Sequence, residues 1–110
     1  MIQLESYMNQ IVMSTEKNAK IIPYAVKVAM VTKALRNLYG LSQTELAETS
    51  GLSRPTISRL EKASDLKVKA ETLEQLLDVF RTLGVEISVN TDDILIRITN
   101  QSLAEALDRH

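Results

Sequence analysis

The sequence predicts a mainly helical domain of four to five helices, followed by a β-hairpin and a short final helix. Between Pro23 and Gly84, apolar residues recur every three or four positions, which is the period of an amphipathic helix. After Gly84 the period changes to two, as expected of half-buried strands. The 110 residues are 45% apolar and 25% charged, so they predict one small folded domain rather than a disordered chain.

The chain divides into three predicted parts: an N-terminal arm over residues 1–22, a helical domain over 23–84 and a C-terminal element over 85–110. In the arm, apolar residues at helical spacing predict a short amphipathic helix over 3–13, and the polar stretch over 14–20 predicts a linker. The apolar residues of this helix are Leu4, Tyr7, Met8, Ile11 and Val12.

The first helix of the domain is predicted over 23–39. Proline suits the first turn of a helix, because the amide that it lacks has no partner there, and Gly40 is placed to end the helix. The apolar stripe of this helix consists of Tyr24, Val28, Val31, Leu35 and Leu38. Steps of three and four residues place these side chains on one face, which we expect to be buried.

Two short helices follow, and each begins at a predicted cap. Ser42 and Glu45 form a capping box, in which the Ser42 hydroxyl accepts from the Glu45 amide and the Glu45 carboxylate accepts from the Ser42 amide. Gly51 ends the first short helix. Ser53 caps the second one, which has Pro55 inside its first turn.

A fourth helix is predicted to end at Gly84. Its apolar positions are Leu73, Leu76, Leu77, Phe80 and Leu83. Near the end of the sequence, Ser102 and Glu105 repeat the capping-box pattern, so we expect a last short helix over 103–109.

Between these two helices, apolar residues alternate on both sides of the turn-rich segment 90–93 and predict a β-hairpin. A two-stranded hairpin is marginal in isolation, and an uncovered aliphatic edge promotes association. We therefore expect the hairpin to pair with its copy in a second chain. The residues predicted to form this dimer interface are Val85, Ile87, Val89, Ile94, Ile96 and Ile98.

The two short helices and the corner between them fit the packing demands of a helix-turn-helix. Ala47 is small where two helices cross closely, and Gly51 can adopt the positive φ of a sharp corner. Buried aliphatic residues supply the contact that the two helices share. The residues with predicted structural roles are Ala47, Gly51, Ile57 and Leu60.

The string SQTELAETSGLSRPTISRLE over 42–61 resembles the Cro/CI-like (XRE) family of helix-turn-helix DNA-binding domains. The resemblance covers roughly residues 24–84 and implies a lambda-repressor-like fold that binds double-stranded DNA. It also implies a phosphate contact for Gln43 and a structural ion pair between Arg36 and Glu61.

A helical wheel for 53–62 shows which side chains the second short helix offers to DNA. Ile57 and Leu60 face the protein, and the predicted base-reading residues on the other side are Arg54, Pro55, Ser58 and Arg59. Arginine can donate two parallel hydrogen bonds to guanine O6 and N7, so the two arginines predict guanines in the target. The residues predicted to contact DNA phosphates are Gln43, Thr44, Ser53, Thr56, Lys62, Lys67 and Lys69.

The net charge of −1 conceals a strong polarity along the chain. Residues 1–15 sum to −1, residues 16–69 to +5 and residues 70–110 to −5. The middle segment can therefore face a polyanion, whereas the C-terminal segment cannot.

The composition argues against an enzyme, a metal site or a cofactor site. The chain has no cysteine, and its only histidine is His110, so almost nothing is available to build a metal site or a catalytic triad. Asp92 and Asp93 lie in a predicted turn, where acidic residues are common. The N-terminus lacks the pattern of a secretory signal, and no apolar run approaches the ~20 residues that span a bilayer, so we expect a cytoplasmic protein.

These features predict a transcriptional repressor that binds a palindromic operator as a homodimer. The segment TLEQLLDVFRTLGVEISV over 72–89 resembles the end of HipB-like and HigA-like antitoxins, which keeps open an alternative. In that alternative the chain binds a toxin, through its acidic C-terminal part or its arm, and autoregulates its operon. A third hypothesis is a coupling protein that uses the same helical fold without binding DNA.

Overall fold

The computed structural model describes residues 21–62 and 67–110. The predicted arm helix over 3–13 and the linker over 14–20 lie outside the described residues. Within them, five helices and one two-stranded antiparallel sheet confirm the predicted fold class. In chain order the elements are α1 (Tyr24–Leu38), α2 (Gln43–Ser50), α3 (Arg54–Glu61), α4 (Ala70–Thr82), β1 (Val85–Val89), β2 (Ile94–Ile98) and α5 (Asn100–Asp108). None of the described helices has the length and apolarity needed to cross a bilayer.

Helix α1 follows the prediction, but its predicted apolar stripe is longer than its buried face. Val28, Val31 and Leu35 are buried as expected. The prediction that Tyr24 and Leu38 are buried is wrong, because both lie at the ends of the helix, past the residues that pack over its middle. The Tyr24 hydroxyl instead donates to Glu74 Oε1 at 2.7 Å on the surface.

The two short helices begin and end as their caps predict. The Ser42 hydroxyl accepts from the Glu45 amide at 3.0 Å, and Glu45 Oε1 accepts from the Ser42 amide at 3.0 Å, which completes the capping box. Gly51 ends α2 with a φ of 77°, a left-handed conformation that residues with a Cβ rarely adopt. Ser53 caps α3 by accepting from the Thr56 amide at 3.2 Å. The corner therefore has the geometry that a helix-turn-helix requires.

The core lies between the helices and extends into the hairpin. Its largest fully buried side chains are Tyr39, Phe80, Leu46, Ile57, Leu60, Leu76 and Leu77. The rings of Tyr39 and Phe80 pack at a tilt of 41°, with their centroids 6.4 Å apart. Burial of several aliphatic and aromatic side chains in one cluster provides most of the driving force for folding. One core therefore fixes the helices relative to one another.

The hairpin is present, but part of its predicted dimer interface is occupied. Val85 and Ile87 are buried in the core of their own chain, so assigning them to a surface between two chains is wrong. The physical reason is that β1 lies against α4, which covers one face of the sheet. Three more of the predicted residues are partly buried against the same core, namely Val89, Ile94 and Ile98. Ile96 alone among the six is exposed.

The final helix begins earlier than predicted. Its N-cap is Thr99, whose hydroxyl accepts from the Ser102 amide at 3.2 Å, and the helix starts at Asn100. Ser102 is buried inside the helix, where its hydroxyl bonds to that of Tyr39 and donates to the Leu83 carbonyl at 2.6 Å. The prediction of Ser102 as the cap is wrong, because this hydroxyl serves tertiary structure instead.

A buried lysine connects α1 to the turn of the hairpin. Lys27 Nζ donates to the carbonyls of Asn90 at 2.6 Å and Thr91 at 2.7 Å. Hydrogen bonds from a charged donor are stronger than neutral ones, and these two hold the far end of the hairpin.

β1 and β2 pair in a register that places Ile87 opposite Ile96.

Thr32 generates a prediction about stability. Its side chain is fully buried in α1, and its hydroxyl makes no hydrogen bond within the part of the chain that the structure describes. A buried hydroxyl without a partner has lost its hydration without compensation. Thr32→Val keeps the shape and removes this cost, so we expect the free energy of unfolding to rise by about 1 kcal/mol. Denaturant unfolding measures it.

Thr32→Ser is the matched control, because it keeps the hydroxyl and removes a buried methyl group. We expect this variant to be less stable than the natural chain by about 1 kcal/mol. If Thr32→Val were the less stable of the two variants, the hydroxyl would have a partner and the interpretation would fail.

Candidate nucleic-acid interface

Helix α3 has one buried face and one exposed face, as the helical wheel predicts. Ile57 and Leu60 are buried, and their positions anchor the helix on the core. On the other side Arg54, Pro55 and Arg59 are exposed. The helix is eight residues long and is the most strongly amphipathic part of the helix-turn-helix. Its exposed face is therefore the candidate surface for reading base edges.

Ser58 is the fourth predicted base-reading residue, and it lies at the margin of this face. Its side chain is half-buried, whereas those of Pro55 and Arg59 are exposed. A short hydroxyl group at such a position reaches less far from the helix than an arginine does. Ser58 can therefore reach DNA only where the helix approaches the double helix most closely.

The predicted phosphate-contacting residues divide into two groups. Ser53 and Thr56 share a hydrogen bond of 2.7 Å between their hydroxyls at the start of α3, so their main role is to cap the helix. Gln43 and Thr44 are the first two residues of α2, a position where helix amides lack an intrahelical partner and attract anions. The three predicted lysines at and after the end of α3 are exposed, namely Lys62, Lys67 and Lys69.

An ion pair between α1 and α3 fixes the orientation of the reading helix. Arg36 Nε lies 2.7 Å from Glu61 Oε2, and Arg36 Nη2 donates to Glu61 Oε1 at 2.9 Å, so the pair is bidentate. Arg36 Nη1 also donates to the Leu41 carbonyl at 2.9 Å. The hydrogen bond to Glu61 raises the pKa of Arg36 above its ordinary value. The predicted structural pair is confirmed.

Gln43 takes part in the same network. Its Nε2 donates to Glu61 Oε1 at 3.4 Å, so the side chain bridges the start of α2 and the end of α3. The Gln43 amide group thus already has an intramolecular partner. A phosphate contact by this residue would use its backbone amide together with the side-chain N–H that remains.

Sequence reasoning missed two residues that support this interface from behind. Gln75 Nε2 on α4 donates to the Ser50 carbonyl at 3.3 Å, which ties the last turn of α2 to the domain. Arg81 Nη2 donates to the Ile87 carbonyl at 3.2 Å and joins α4 to β1. Both lie among the polar positions of an amphipathic helix, and the sequence carries no signal that distinguishes them from solvated residues.

Two surface carboxylates, Glu45 in the first turn of α2 and Glu74 on α4, are held in their charged form. The backbone amide of Ser42 donates to Glu45 and lowers the pKa of that carboxyl. Arg81 donates to Glu74 and lowers its pKa in the same way. Over the described ranges, no group of three acidic or histidine side chains is placed to hold a metal ion. The described surface around α3 therefore offers hydrogen bonding and positive charge.

One comparison with known proteins gives a result. The family model described as Helix-turn-helix matches residues 33–87, which is half of the chain. This match spans the last six residues of α1, all of α2, α3 and α4, and the first three residues of β1. No curated protein and no solved structure matches the chain.

The contribution of the Arg36–Glu61 ion pair to stability can be measured by replacing each residue alone and both together. Glu61→Met leaves the partly buried Arg36 cation without its counter-charge, and Arg36→Met leaves Glu61 alone. We expect each substitution to lower the free energy of unfolding by about 3 kcal/mol, because an unpaired buried charge is costly. The double variant removes both charges and should lose about 2 kcal/mol less than the sum of the single losses.

Equilibrium unfolding of the four proteins gives this coupling energy directly. Arg97→Met is the control for the cycle, because both side chains of the Arg97–Glu86 pair are exposed and its loss should cost less than about 1 kcal/mol. Strictly additive losses in the Arg36 and Glu61 variants would show that the two side chains do not act as a pair.

Proposed function

The chain belongs to the helix-turn-helix family of DNA-binding transcriptional regulators, and we propose that it binds a palindromic operator as a homodimer and represses transcription by occupying the promoter. The observation that carries the proposal is the exposed face of α3. This face presents two arginines, while Ile57, Leu60 and the bidentate Glu61 hold the opposite face on the domain.

Arg54 and Arg59 are the groups that suit direct reading of bases. A helix fits the major groove of B-DNA, and the planar guanidinium group matches the two acceptors that guanine presents there. Arg54 is the first residue of α3, which is the end of a recognition helix that meets base edges in this type of domain. The proposed targets are therefore guanines in each half-site.

Backbone contacts would position the domain on the duplex. The start of α2 offers free amides beside Gln43 and Thr44, and lysines follow the end of α3. Contacts of this kind give affinity that depends on salt and carries no sequence information. The two groups flank the reading helix in sequence, so they can fix its register in the groove.

The free edge of β2 supports the dimer. β1 is the inner strand, because it lies against α1 and α4, and β2 is the outer one, which pairs only with β1 within the described residues. Its sequence Ile-Leu-Ile-Arg-Ile has high strand propensity, yet Leu95 is 59% exposed and Ile96 is 43% exposed. Exposed aliphatic edges of this kind pair readily with another strand. A second copy of β2, related by a two-fold axis through Ile96, would pair with the first, so that the free β2 edges of both chains would be covered.

Dimerisation also lengthens the DNA sequence that the protein can recognise. One recognition helix covers only a few base pairs, whereas two helices spaced one turn of B-DNA apart, about 34 Å, read two half-sites. An isologous interface produces an inverted repeat in the target, because the symmetry of the protein is imposed on the DNA. A selection from random duplex DNA at stated salt should recover such a repeat.

The reading face generates a prediction about specificity. We expect Arg54→Ala to weaken binding to the selected operator by about 5- to 100-fold and to change binding to random DNA much less, because a bidentate contact to guanine is lost. Lys69→Ala should weaken binding to both DNAs by the same factor and reduce the salt dependence by about one charge. Fluorescence anisotropy over a range of salt concentrations measures both effects.

Arg97→Ala is the matched control for these variants. Arg97 is an exposed arginine on the hairpin whose partner is Glu86 at 3.0 Å, and it lies outside the helix-turn-helix. Because Arg97 also lies on β2, its removal is tested in a chain cross-linked through oxidised Ile96→Cys, where dimerisation is fixed and operator affinity should not change. Equal losses on operator and random DNA for Arg54→Ala would contradict its assignment to base reading.

The proposed dimer can be tested by disulfide cross-linking, because the sequence contains no cysteine and an introduced one has no competitor. If two β2 strands pair about Ile96, the two Cα atoms at this position lie about 4.5 to 5.5 Å apart, which permits a disulfide. Ile96→Cys should therefore form a covalent dimer on mild oxidation. Ser88→Cys, exposed on the inner strand β1, should not.

Sedimentation of the natural chain provides the independent measurement. We expect a dimer at tens of micromolar, and operator binding by the oxidised Ile96→Cys dimer should persist at protein concentrations where the natural chain dissociates. A natural chain that stays monomeric at tens of micromolar would exclude this arrangement.

A further inference from the structure

Helix α1 carries a second apolar face, and it lies on the outside of the domain. Met30, Ala34 and Leu38 follow one another at intervals of four residues, and all three are exposed, Met30 by 61%. Beside Leu38, the side chains of Leu103 and Leu107 on α5 extend the same surface, and Leu107 is 74% exposed. We call these five residues the apolar stripe.

The apolar stripe borders a concave surface. A groove of about 440 Å³ runs between the end of α1 and α5, and its lining residues are Asn37, Leu38, Leu103, Ala106, Leu107 and His110. Single exposed aliphatic residues are common on protein surfaces, but an aligned set beside an apolar groove is typical of a binding surface.

The pattern of α1 indicates that both sides of this helix are covered. Its inner face packs on the core through Val28, Leu35 and their neighbours. A helix with apolar residues on two faces is normally buried on both. Nothing in the described part of the chain covers the outer one, so the stripe has room for another apolar element.

The apolar stripe lies on the side of α1 that is turned away from α3. Arg36 bonds to Glu61 on α3, and Ala34 lies two residues before Arg36, which is ~200° around the helix axis. An element that covers the stripe therefore leaves the reading face open. Whatever binds here does not compete with DNA.

We propose that residues 3–13 of the same chain form an amphipathic helix that docks on the apolar stripe. Twenty residues precede Ile21, and Ile21 itself is almost fully exposed three residues before α1, so the preceding chain leaves the domain at this end. The segment has the complementary pattern. Its apolar positions, all on one face of a helix, are Leu4, Tyr7, Met8, Ile11 and Val12.

The dimensions fit this arrangement. A helix over 3–13 is ~16 Å long, and the stretch of α1 from Met30 to Leu38 rises ~12 Å. Residues 14–22 can span up to ~30 Å when extended, which exceeds the ~9 Å that α1 rises from Tyr24 to Met30. The arm can therefore fold back and lie antiparallel to α1, as in a two-helix hairpin.

Attachment to the domain favours the arm over a separate partner. A short tether gives an effective concentration in the millimolar range, which is far above the concentration of most free proteins. A second copy of the chain would have to exceed this value to displace the arm. The proposal concerns the arm alone and holds whether or not the chain represses transcription.

The test exploits the absence of cysteine from the natural chain. Met8 lies at the centre of the apolar face of the arm, and Ala34 lies at the centre of the stripe on α1. The full chain carrying Met8→Cys and Ala34→Cys should form an intramolecular disulfide on mild oxidation at low micromolar concentration. The control pair is Ser6→Cys with Ala34→Cys, because Ser6 is ~160° away from Met8 on the same helix.

We expect the Met8 pair to close at least ten times faster than the Ser6 pair, with a monomeric mass. Equal rates for the two pairs would show an arm without a fixed face and overturn the proposal. Disulfide-linked dimers would show that a second copy covers the stripe, and the absence of any cross-link would show that the arm lies elsewhere. Either outcome also overturns it.

Thermal unfolding and DNA binding provide a second measurement. Ile11→Ser should lower the unfolding temperature of the full chain by about 5 °C, because it removes apolar contact with the stripe. Ser6→Ala, on the polar face, should leave it unchanged. Affinity for duplex DNA should be the same for both variants and the natural chain. An unchanged unfolding temperature in Ile11→Ser, or a loss of DNA affinity in that variant, would contradict docking on this side of α1.

Discussion

The arrangement of the candidate interface depends on the bidentate ion pair between Arg36 and Glu61. Gly51 sets the angle of the corner between α2 and α3, but a corner fixes only one end of a short helix. Glu61 is the last residue of α3, so its two bonds to Arg36 fix the other end on α1. The same guanidinium also holds the Leu41 carbonyl at the loop before α2. One cation therefore positions both helices of the motif.

The hairpin and α5 stabilise the domain, because they share its core. Ser102 on α5 bonds to Tyr39 and to the Leu83 carbonyl, so α5 holds the segments that follow α1 and α4. Lys27 does the same for the turn of the hairpin. These contacts involve residues far apart in the sequence and add no group to the face of α3. The C-terminal part can therefore accommodate a second chain at β2 without moving the reading helix.

Interactions between neighbouring residues made most of the fold predictable. The features that the sequence did not predict depend on contacts between residues far apart in the chain. The capping box at Ser42 and the corner at Gly51 depend on neighbouring residues, so the sequence alone indicates them. At the final helix, Thr99 and Ser102 can both act as caps, and only the position of Tyr39 decides which hydroxyl remains for the helix end. In the candidate site, periodicity predicts which side of α3 is exposed, but it cannot predict that Gln43 bonds to Glu61.

The separation of charge along the chain explains how a protein with a net charge of −1 can approach a polyanion. The net positive charge of residues 16–69 is carried by the segment that contains α1, α2 and α3, and the net negative charge of 70–110 by α4, the hairpin and α5. Electrostatic interactions in physiological salt decay over about 8 Å, so DNA responds to the nearest face and not to the total charge. In the proposed complex, attraction of the segment that contains α3 and repulsion of the acidic segment favour the orientation in which α3 faces DNA. The arginines of α3 are then the proposed groups that distinguish one sequence from another.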